Sequence, residues 1–476
     1  MHPLTGLLNR RDFFSSSANG LGGIALAALL ANDSRGRTAM PQSLERSAHF
    51  APKIKRVVQI FCPGGVSHVD TFDHKPELIR QHGKPMTGKG KADTFFGQPG
   101  NLMKSPFAFK RHGQCGRWVS DLLPNLATCV DDLTFIHSMT AKSANHTPAG
   151  FQMNSGFVMN GFPAMGSWIT YGLGAENENL PAFVVLPDPR GFPAGGSINW
   201  SNGFLPATYQ GVAFRANGEP IADLETPRDV NPNERDAATK LLGEMNRDYL
   251  DENPGDSTLS ARIRSYELAA RMQLAVPEAV RIDGETAATH RLYGLDQKVT
   301  EGFGRNCLLA RRLLERGVRF VQLWHGGAFG SPRINWDAHE DIVDNHTKQA
   351  AILDRPAAGL LKDLRQRGML DDTLFLWTTE FGRTPFTQGI DKPGRDHHQH
   401  AFTVFMAGGG LKPGFAYGAS DEIGYRVAEN EVSIYDFHAT ILRLLGLEHT
   451  KLTYYHNGIQ RRLTDVHGEV VQGILA

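Results

Sequence analysis

The chain has 476 residues, and its 50 basic and 50 acidic side chains give a formal net charge of zero at pH 7. Its hydrophobic content of 41% is compatible with an ordinary globular protein. Without a net positive charge or a long basic run, the chain has no general attraction for nucleic acid, which is not an expected partner. The N-terminal apolar stretch is too short to cross a bilayer comfortably, and no second apolar stretch of spanning length follows it, so no stable membrane span is expected either.

The N-terminus has the pattern of an export signal. The run NRRDFF at residues 9–14 precedes a weakly apolar stretch, residues 15–31, that is rich in Gly, Ala and Leu. Two arginines, an aromatic pair and a short apolar run match a twin-arginine signal better than a membrane span. Residues 1–31 are therefore predicted to be a signal region of a periplasmic or extracellular (secreted) protein. An uncleaved N-terminal anchor and an amphipathic helix of a cytosolic protein are the alternatives.

Short apolar runs alternate with helical periodicity over the rest of the chain. The runs predict buried strands, and two amphipathic segments, residues 347–367 and 433–445, predict helices that end before glycines. This alternation predicts a three-layer α/β/α sandwich with a mostly parallel central sheet, here assigned to residues 50–476. The predicted strands are residues 56–62, 133–137, 183–186, 319–324, 373–378 and 402–407.

Two segments break the alternation. Residues 83–116 are rich in Gly, Lys and Pro, which predicts an irregular loop and a candidate cover for a site. Residues 227–291 are charged and have helical periodicity, which predicts a helical insertion.

Side chains that bind metals follow several of the predicted strands, at the edge where α/β sheets bind ligands. His68 and Asp70 follow the first strand as i, i+2 neighbours, although a structured turn explains the same pattern. Asp337 and His339 follow the strand at 319–324 at a short distance, and Glu380 comes directly after the strand at 373–378. These five residues are predicted metal ligands.

Histidines are concentrated before the last predicted strand. His397, His398 and His400 lie within four residues, after Arg395. His397 and His398 are added to the predicted metal ligands, although adjacent residues of an extended segment point in opposite directions. Arg395 and Arg383 are candidates to hold an anion, and an ion pair with a nearby acid is the alternative for Arg383.

The segment after the strand at 133–137 offers a second kind of chemistry. His146 and Thr147 precede Pro148, which suits the first turn of a helix, and a helix N-terminus attracts anions. Thr147 is a candidate nucleophile, and His146 is a candidate catalytic residue in or near the metal shell. Thr147 is at least as well suited to be the N-cap of that helix.

Together these motifs resemble a family of bacterial, twin-arginine-exported proteins that are labelled sulfatase-like and belong to the alkaline phosphatase superfamily. The resemblance implies metal at the strand ends, with Glu380 where related enzymes carry an Asp. It also places His397 and His398 at the late histidine ligand. Two features depart from the pattern, because Cys62-Pro63 replaces the usual Asp after the first strand and no Cys-x-Pro-x-Arg motif of formylglycine sulfatases occurs. The resemblance extends from about residue 55 to the C-terminus and rests on residues 64–70, 145–146, 336–339, 380–385, 395–398 and 436–446.

The sequence therefore predicts an exported, metal-dependent hydrolase of phosphate or sulfate esters. Its cofactor would be one or two divalent ions of zinc, manganese or calcium. Its substrate would be an anionic ester, which a polysaccharide could carry. The alternative is a non-catalytic, sulfatase-shaped protein that binds a carbohydrate or a surface and keeps a metal only for stability.

Overall fold

The structure is a computed structural model, and the residues that it describes begin at Ala48. They extend to Ala476 except for residues 91, 216–230, 254–258, 260–261, 264–265, 269–271, 273–277, 331 and 389–392. The predicted signal region, residues 1–31, lies outside the described residues. Among those described, no helix combines the length and the hydropathy that a membrane span requires.

The described elements alternate between strands and helices along most of the chain. The strands are β1 Arg56–Phe61, β2 Pro99–Leu102, β3 Phe109–His112, β4 Arg117–Ser120, β5 Thr134–Thr140, β6 Phe183–Leu186, β7 Val212–Ala213, β8 Phe320–Trp324, β9 Thr373–Thr378, β10 Gly382–Gln388, β11 Arg395–His398, β12 Phe402–Ala407, β13 Phe415–Tyr417, β14 Ala419–Ser420, β15 Val427–Glu429, β16 Val432–Ser433, β17 Tyr454–His456 and β18 Ile459–Arg461. The α-helices are α1 His68–Thr71, α2 Pro76–Arg80, α3 His146–Ser155, α4 Met165–Leu173, α5 Pro232–Glu252, α6 Ala287–Leu292, α7 Glu301–Glu315, α8 Ile342–Gln366 and α9 Ile434–Leu444.

A large sheet forms the centre of the fold. Its strand order is β13-β5-β12-β9-β1-β8-β6-β7, and β16 also pairs with β5. β1 is parallel to both of its neighbours, β8 and β9, whereas β12 is antiparallel to β5 and β9. β1 is apolar along nearly its whole length because both of its faces are buried, as is typical of a central parallel strand.

Helices cover both faces of this sheet. Val58 and Ile60 of β1 pack in one hydrophobic core with α7 and α8, whereas Val57 and Phe61 pack in a second core with α4 and α9. The predicted α/β/α sandwich with a mostly parallel sheet is therefore confirmed. Helix α8 begins five residues earlier than predicted because the Asp341 carboxylate accepts hydrogen bonds from the first free backbone N–H groups.

A small second sheet lies next to the end of β9. Its order is β11-β10-β2, and β10 begins four residues after β9 ends. β11 is antiparallel to β10, with His397 opposite Arg383 and His398 opposite Gly382. The sequence predicted no strand here, but Arg395–His398 form one, and His400 of the histidine-rich run lies beyond it.

The chain divides into two compact units. Glu45–Thr226 and Leu268–Ala476 form one unit, which contains both sheets. In the described part of the chain, the other unit is represented by Pro227–Glu267, which contains α5. The helical insertion predicted at residues 227–291 shares its first residue with this stretch.

Candidate metal centre

One group of potential metal ligands is present among the described residues. It consists of His146, Asp337, His339 and His397, whose ligand atoms all lie within 4.8 Å of one another. All four side chains are buried. His146 begins α3 after β5, Asp337 and His339 lie in the loop after β8, and His397 belongs to β11.

The three imidazoles face one oxygen of the carboxylate. Asp337 Oδ1 lies 2.8 Å from His339 Nε2, 3.2 Å from His146 Nε2 and 3.6 Å from His397 Nε2. The Nε2 atoms of His339 and His397 are themselves 2.8 Å apart. Three nitrogens around one carboxylate oxygen form a compact set of four donor atoms.

The other ring nitrogen of each histidine has a hydrogen-bond acceptor. His146 Nδ1 donates to Glu380 Oε1 at 2.6 Å, and His397 Nδ1 donates to the Ala144 carbonyl at 2.6 Å. His339 Nδ1 donates to the amide oxygen of Gln388. A carboxylate and a carbonyl can only accept, so each of these rings carries a proton on Nδ1, and the Nε2 lone pair is free when the ring carries no second proton.

This arrangement fits a metal ion. Histidine ligands of metals almost always donate their second N–H to a carboxylate or a carbonyl, as these three do. His146 Nε2 is also a buried atom without a hydrogen-bond partner, although it lies 3.2 Å from Asp337 Oδ1. A cation among the four donors would satisfy that nitrogen and would separate the facing Nε2 atoms.

The protonation states suit metal binding. Burial lowers the pKa of His397 to about 2, so its imidazole is neutral at pH 7. Burial by itself raises the pKa of Asp337, but the Arg383 guanidinium and the neighbouring imidazoles outweigh it and hold that pKa well below its usual range. Neutral imidazole and ionised carboxylate are the forms that bind a metal.

Asp337 is held in place by the loop around it. The buried indole N–H of Trp336 donates to His325 Nδ1 at 3.0 Å, and the backbone N–H of Trp336 donates to the Pro63 carbonyl at 2.9 Å. Gly64 approaches from the first strand with φ +113°, and a Cβ there would lie 2.4 Å from the Asp337 backbone nitrogen. Only glycine fits this position without displacing the loop.

Glu380 supports the group from behind. Its Oε1 accepts from His146 Nδ1 and, at 2.7 Å, from the Gly64 backbone N–H, while its Oε2 accepts from the Thr379 hydroxyl at 3.2 Å. The structure thus places Glu380 beside the predicted ligands as a hydrogen-bond partner of His146, and it is not one of the four converging residues.

Arg383 is fully buried and is already engaged. Its Nε donates to the Gly65 carbonyl at 2.9 Å, its Nη1 to the Arg395 carbonyl at 3.0 Å, and its Nη2 to Asp337 Oδ1 at 2.6 Å. Its Nη2 also donates to the Gly64 carbonyl. Arg383 therefore forms an ion pair with Asp337. An ion pair with a nearby acid was the alternative to the anion-binding role predicted for Arg383.

Arg395 and Asp70 form a buried ion pair away from the group. Arg395 Nε lies 2.6 Å from Asp70 Oδ2, its Nη2 lies 3.1 Å from Asp70 Oδ1, and both side chains have no exposed surface. Ser67 Oγ also donates to this carboxylate at 2.5 Å. The structure therefore joins a predicted metal ligand to a predicted substrate-binding residue, and neither lies in the four-residue group.

Two further predicted ligands, His68 and His398, do not belong to the four-residue group and bind backbone carbonyls elsewhere. His68 Nε2 donates to the Gly424 carbonyl at 2.9 Å, and His398 Nε2 donates to the Tyr425 carbonyl. His398 is separated from the group because successive side chains of β11 point to opposite faces, and the face of His397 is the one that meets His339.

Thr147 lines a small cavity together with His146 and Glu380. The cavity holds about 10 Å³, which is close to the minimum that a single water molecule needs. The structure therefore places the predicted nucleophile next to a ligand, at a space large enough for water and too small for an ester.

Aromatic rings cover the imidazoles on the outer side. Phe95 lies 4.7 Å from His397 and Phe96 lies 5.2 Å from His339, measured between ring centroids, and Phe329 stacks on His146 at 4.1 Å. Phe95 and Phe96 belong to the segment 83–116 that the sequence suggested as a cover, yet they are 41% and 47% exposed.

Two side chains that contact the group were not predicted from the sequence. Gln388 accepts from His339, and Arg333 donates from Nη1 to Asp337 Oδ2 at 2.5 Å. His146 was predicted as a catalytic residue in or near the metal shell. Position along the chain gave no signal for these contacts, except that Arg333 lies four residues before Asp337.

Several solved structures resemble the chain at low sequence identity. The lipoteichoic acid synthase LtaP from Listeria monocytogenes is 10% identical over 92% of this chain and 80% of that chain, with a TM-score of 0.38. A protein in the alkaline phosphatase superfamily from Vibrio parahaemolyticus is 12% identical over 90% and 76%, with a TM-score of 0.34. The PsFucS1 sulfatase from Pseudoalteromonas sp. is 12% identical over 89% and 71%, with a TM-score of 0.33. Likenesses this weak assign no activity to the chain.

The chain has no match among curated proteins. A family model described as a protein of unknown function (DUF1501) matches residues 54–475, which is most of the chain. The chain therefore belongs to the DUF1501 family.

Proposed function

We propose that the protein is a metal-dependent hydrolase of phosphate or sulfate esters, with a divalent ion bound by His146, Asp337, His339 and His397. The observation that supports it most strongly is the set of Nε2 lone pairs that converge on Asp337 Oδ1 while each Nδ1 donates elsewhere. A bound divalent ion would supply Lewis acidity, which polarises an ester and lowers the pKa of a bound water.

The donor set narrows the choice of ion. Three imidazole nitrogens and one carboxylate oxygen suit zinc or manganese. Calcium prefers about six to eight oxygen ligands, which this group does not offer. We therefore expect zinc or manganese, and no longer calcium.

The charges around the group favour an anionic substrate once an ion is bound. Two buried carboxylates, Asp337 and Glu380, lie at the group together with one buried guanidinium, Arg383, which contacts Asp337. At the rim, Arg333 and Glu340 compensate each other. A divalent cation would change the net charge of these buried groups from negative to positive, which favours binding of a phosphate or sulfate ester.

The chain's own residues would divide the remaining work. Glu380 keeps the Nδ1 proton of His146 and so keeps its Nε2 free. Thr147, or a water in the cavity that it lines, would attack the ester. Ligand pockets usually measure roughly 300–1,000 Å³, so the Phe95–Phe96 cover would have to move to admit a substrate.

A second function is favoured by the same cover. Four protein donors without an evident open position, sheltered by aromatic rings, are typical of a structural zinc site. On that hypothesis the ion stabilises a sulfatase-shaped protein that binds a carbohydrate or a surface and hydrolyses nothing.

An assay on the zinc-loaded protein distinguishes the two functions. Aryl phosphate, phosphodiester and sulfate esters would be tested with and without a chelator, in the wild type and in His339→Ala. We expect turnover that is lost on chelation and lost in the variant. One tightly bound ion with no turnover on any ester, and chelation that only lowers the melting temperature, would select the structural role.

We also propose export by the twin-arginine route, on the strength of the N-terminal sequence. Arg10→Lys together with Arg11→Lys should keep the protein in the cytoplasmic fraction, whereas the wild type should reach the periplasm or the medium. Equal distribution of the two proteins would contradict this part of the proposal.

A further inference from the structure

The arginines near the metal group differ in whether they can meet a ligand. Arg383 and Arg395 have no exposed side-chain surface, and every nitrogen of each guanidinium donates to a protein acceptor. The side chain of Arg333, by contrast, is 33% exposed. Arg333 is therefore the arginine at this group that solvent, and hence a ligand, can reach.

Arg333 connects the metal group to the surface. Its Nη1 donates to Asp337 Oδ2 at 2.5 Å and to the Asp337 carbonyl at 2.9 Å. The other carboxylate oxygen, Oδ1, is the one that faces the imidazoles. The guanidinium is thus separated from the position of the cation by a single carboxylate, and it lies on the solvent side.

The outer partner of Arg333 is an exposed acid. Its Nη2 donates to Glu340 Oε1 at 2.7 Å, and the Glu340 side chain is 55% exposed. Ion pairs between exposed groups contribute little to stability. An anion that also contacts a metal ion can therefore replace Glu340 at little cost.

We propose that Arg333 binds the oxyanion of the substrate and that Glu340 occupies the same place in the free protein. This inference rests on the proposed function, because it needs an anionic ligand next to the metal ion. A guanidinium is suited to this role, since its planar fork matches two oxygens of a phosphate or a sulfate. Arg333 would then take the anion-binding role that the sequence suggested for Arg383 and Arg395.

Binding of inorganic phosphate and of sulfate to the zinc-loaded protein, measured by calorimetry, tests the inference without turnover. Arg333→Ala should weaken binding roughly tenfold or more, because it removes hydrogen bonds from a charged donor. Arg333→Lys should recover only part of the loss, since it restores the charge and not the fork. Glu340→Gln should strengthen binding roughly threefold, because the competing charge is gone. Arg316→Ala is the control: it removes an arginine that is paired with Glu278 elsewhere, and it should leave the affinity for both anions unchanged.

The outcomes separate the two proposals. If the zinc-loaded wild type binds neither anion, the proposed function fails and the inference fails with it. If the wild type binds phosphate and Arg333→Ala binds it equally well, only the inference is overturned. If Arg333→Ala loses zinc while Glu340→Gln leaves the affinity for phosphate unchanged, Arg333 merely positions Asp337 and the inference is likewise overturned.

Discussion

Substitutions of Glu380 should weaken zinc binding without removing the site. Glutamine keeps the volume and an oxygen acceptor but removes the charge that favours the Nδ1 proton of His146. Alanine leaves both His146 Nδ1 and the Gly64 N–H without the acceptor that Oε1 provides at 2.6 and 2.7 Å. Loss of such an outer partner typically reduces metal affinity by roughly 10–100-fold.

The two variants should lie at opposite ends of that range. We expect about tenfold for Glu380→Gln and about 100-fold for Glu380→Ala, which correspond to about 1.4 and 2.7 kcal/mol of binding free energy. Competition with a chromophoric zinc chelator at neutral pH measures both values. Glu176→Gln, which alters an acid paired with Arg319 elsewhere, is the control.

The stoichiometry decides the role of Glu380. Both variants should still bind one ion at saturating zinc, because the four converging donors are unchanged. If Glu380→Ala bound no zinc at any concentration, Glu380 would be a ligand itself, as the sequence suggests. If both affinities equalled that of the wild type, the orientation of His146 by Glu380 would have no energetic role.

Further expectations concern stability and access. Asp70→Asn should lower the free energy of unfolding in urea by about 3–5 kcal/mol, because it leaves Arg395 buried without its partner. The zinc content of this variant should equal that of the wild type, and a loss of zinc would make Asp70 a ligand. Phe95→Ala and Phe96→Ala should let a chelator remove zinc several times faster than from the wild type, whereas equal rates would show that these rings do not control access. Burial lowers the pKa of His438 to about 4. The pKa of an unfolded histidine is about 6.5. Between about pH 4 and about pH 6.5 the unfolded chain therefore binds a proton at His438 that the folded chain does not. His438 alone should therefore cost the metal-free protein up to about 1.4 kcal/mol of stability per pH unit as the pH falls through this range. His438→Asn should reduce the slope of stability against pH by that amount, and an unchanged slope would contradict the lowered pKa.

The inner strands of the central sheet were predictable because they are buried on both faces, unlike the edge strands β7 and β13. Such strands are continuous apolar runs, and the runs at residues 183–186 and 373–378 coincide with β6 and β9. The small sheet was not predicted. Its strands β10 and β11 carry arginines, histidines and glycines, whose burial depends on partners distant in sequence, and local apolar pattern does not reveal them.

The site was only partly predictable for the same reason. Asp337, His339 and His397 were predicted ligands, and the structure brings them together. His146 was considered for a different role because a histidine at a helix start has several local explanations. The sequence offered no way to choose between His397 and His398, since the choice depends on which face of β11 meets the loop after β8.

Arginines that have acidic residues nearby in the sequence differ in burial. Arg383, Arg395 and Arg333 each have an acidic residue within four positions in the sequence, yet two are fully buried and one is partly exposed. Burial is set by tertiary packing, so a residue type alone could not tell an ion pair of the core from a group that can meet a ligand.

Metal analysis of the purified protein, after loading with zinc and removal of excess ion, tests the central claim most directly. We expect one ion per chain in the wild type and in His400→Ala, whose histidine lies in the same run but pairs with Asp93. We expect none in His339→Ala. No bound ion in the wild type, or the same content in His339→Ala, would contradict the metal centre.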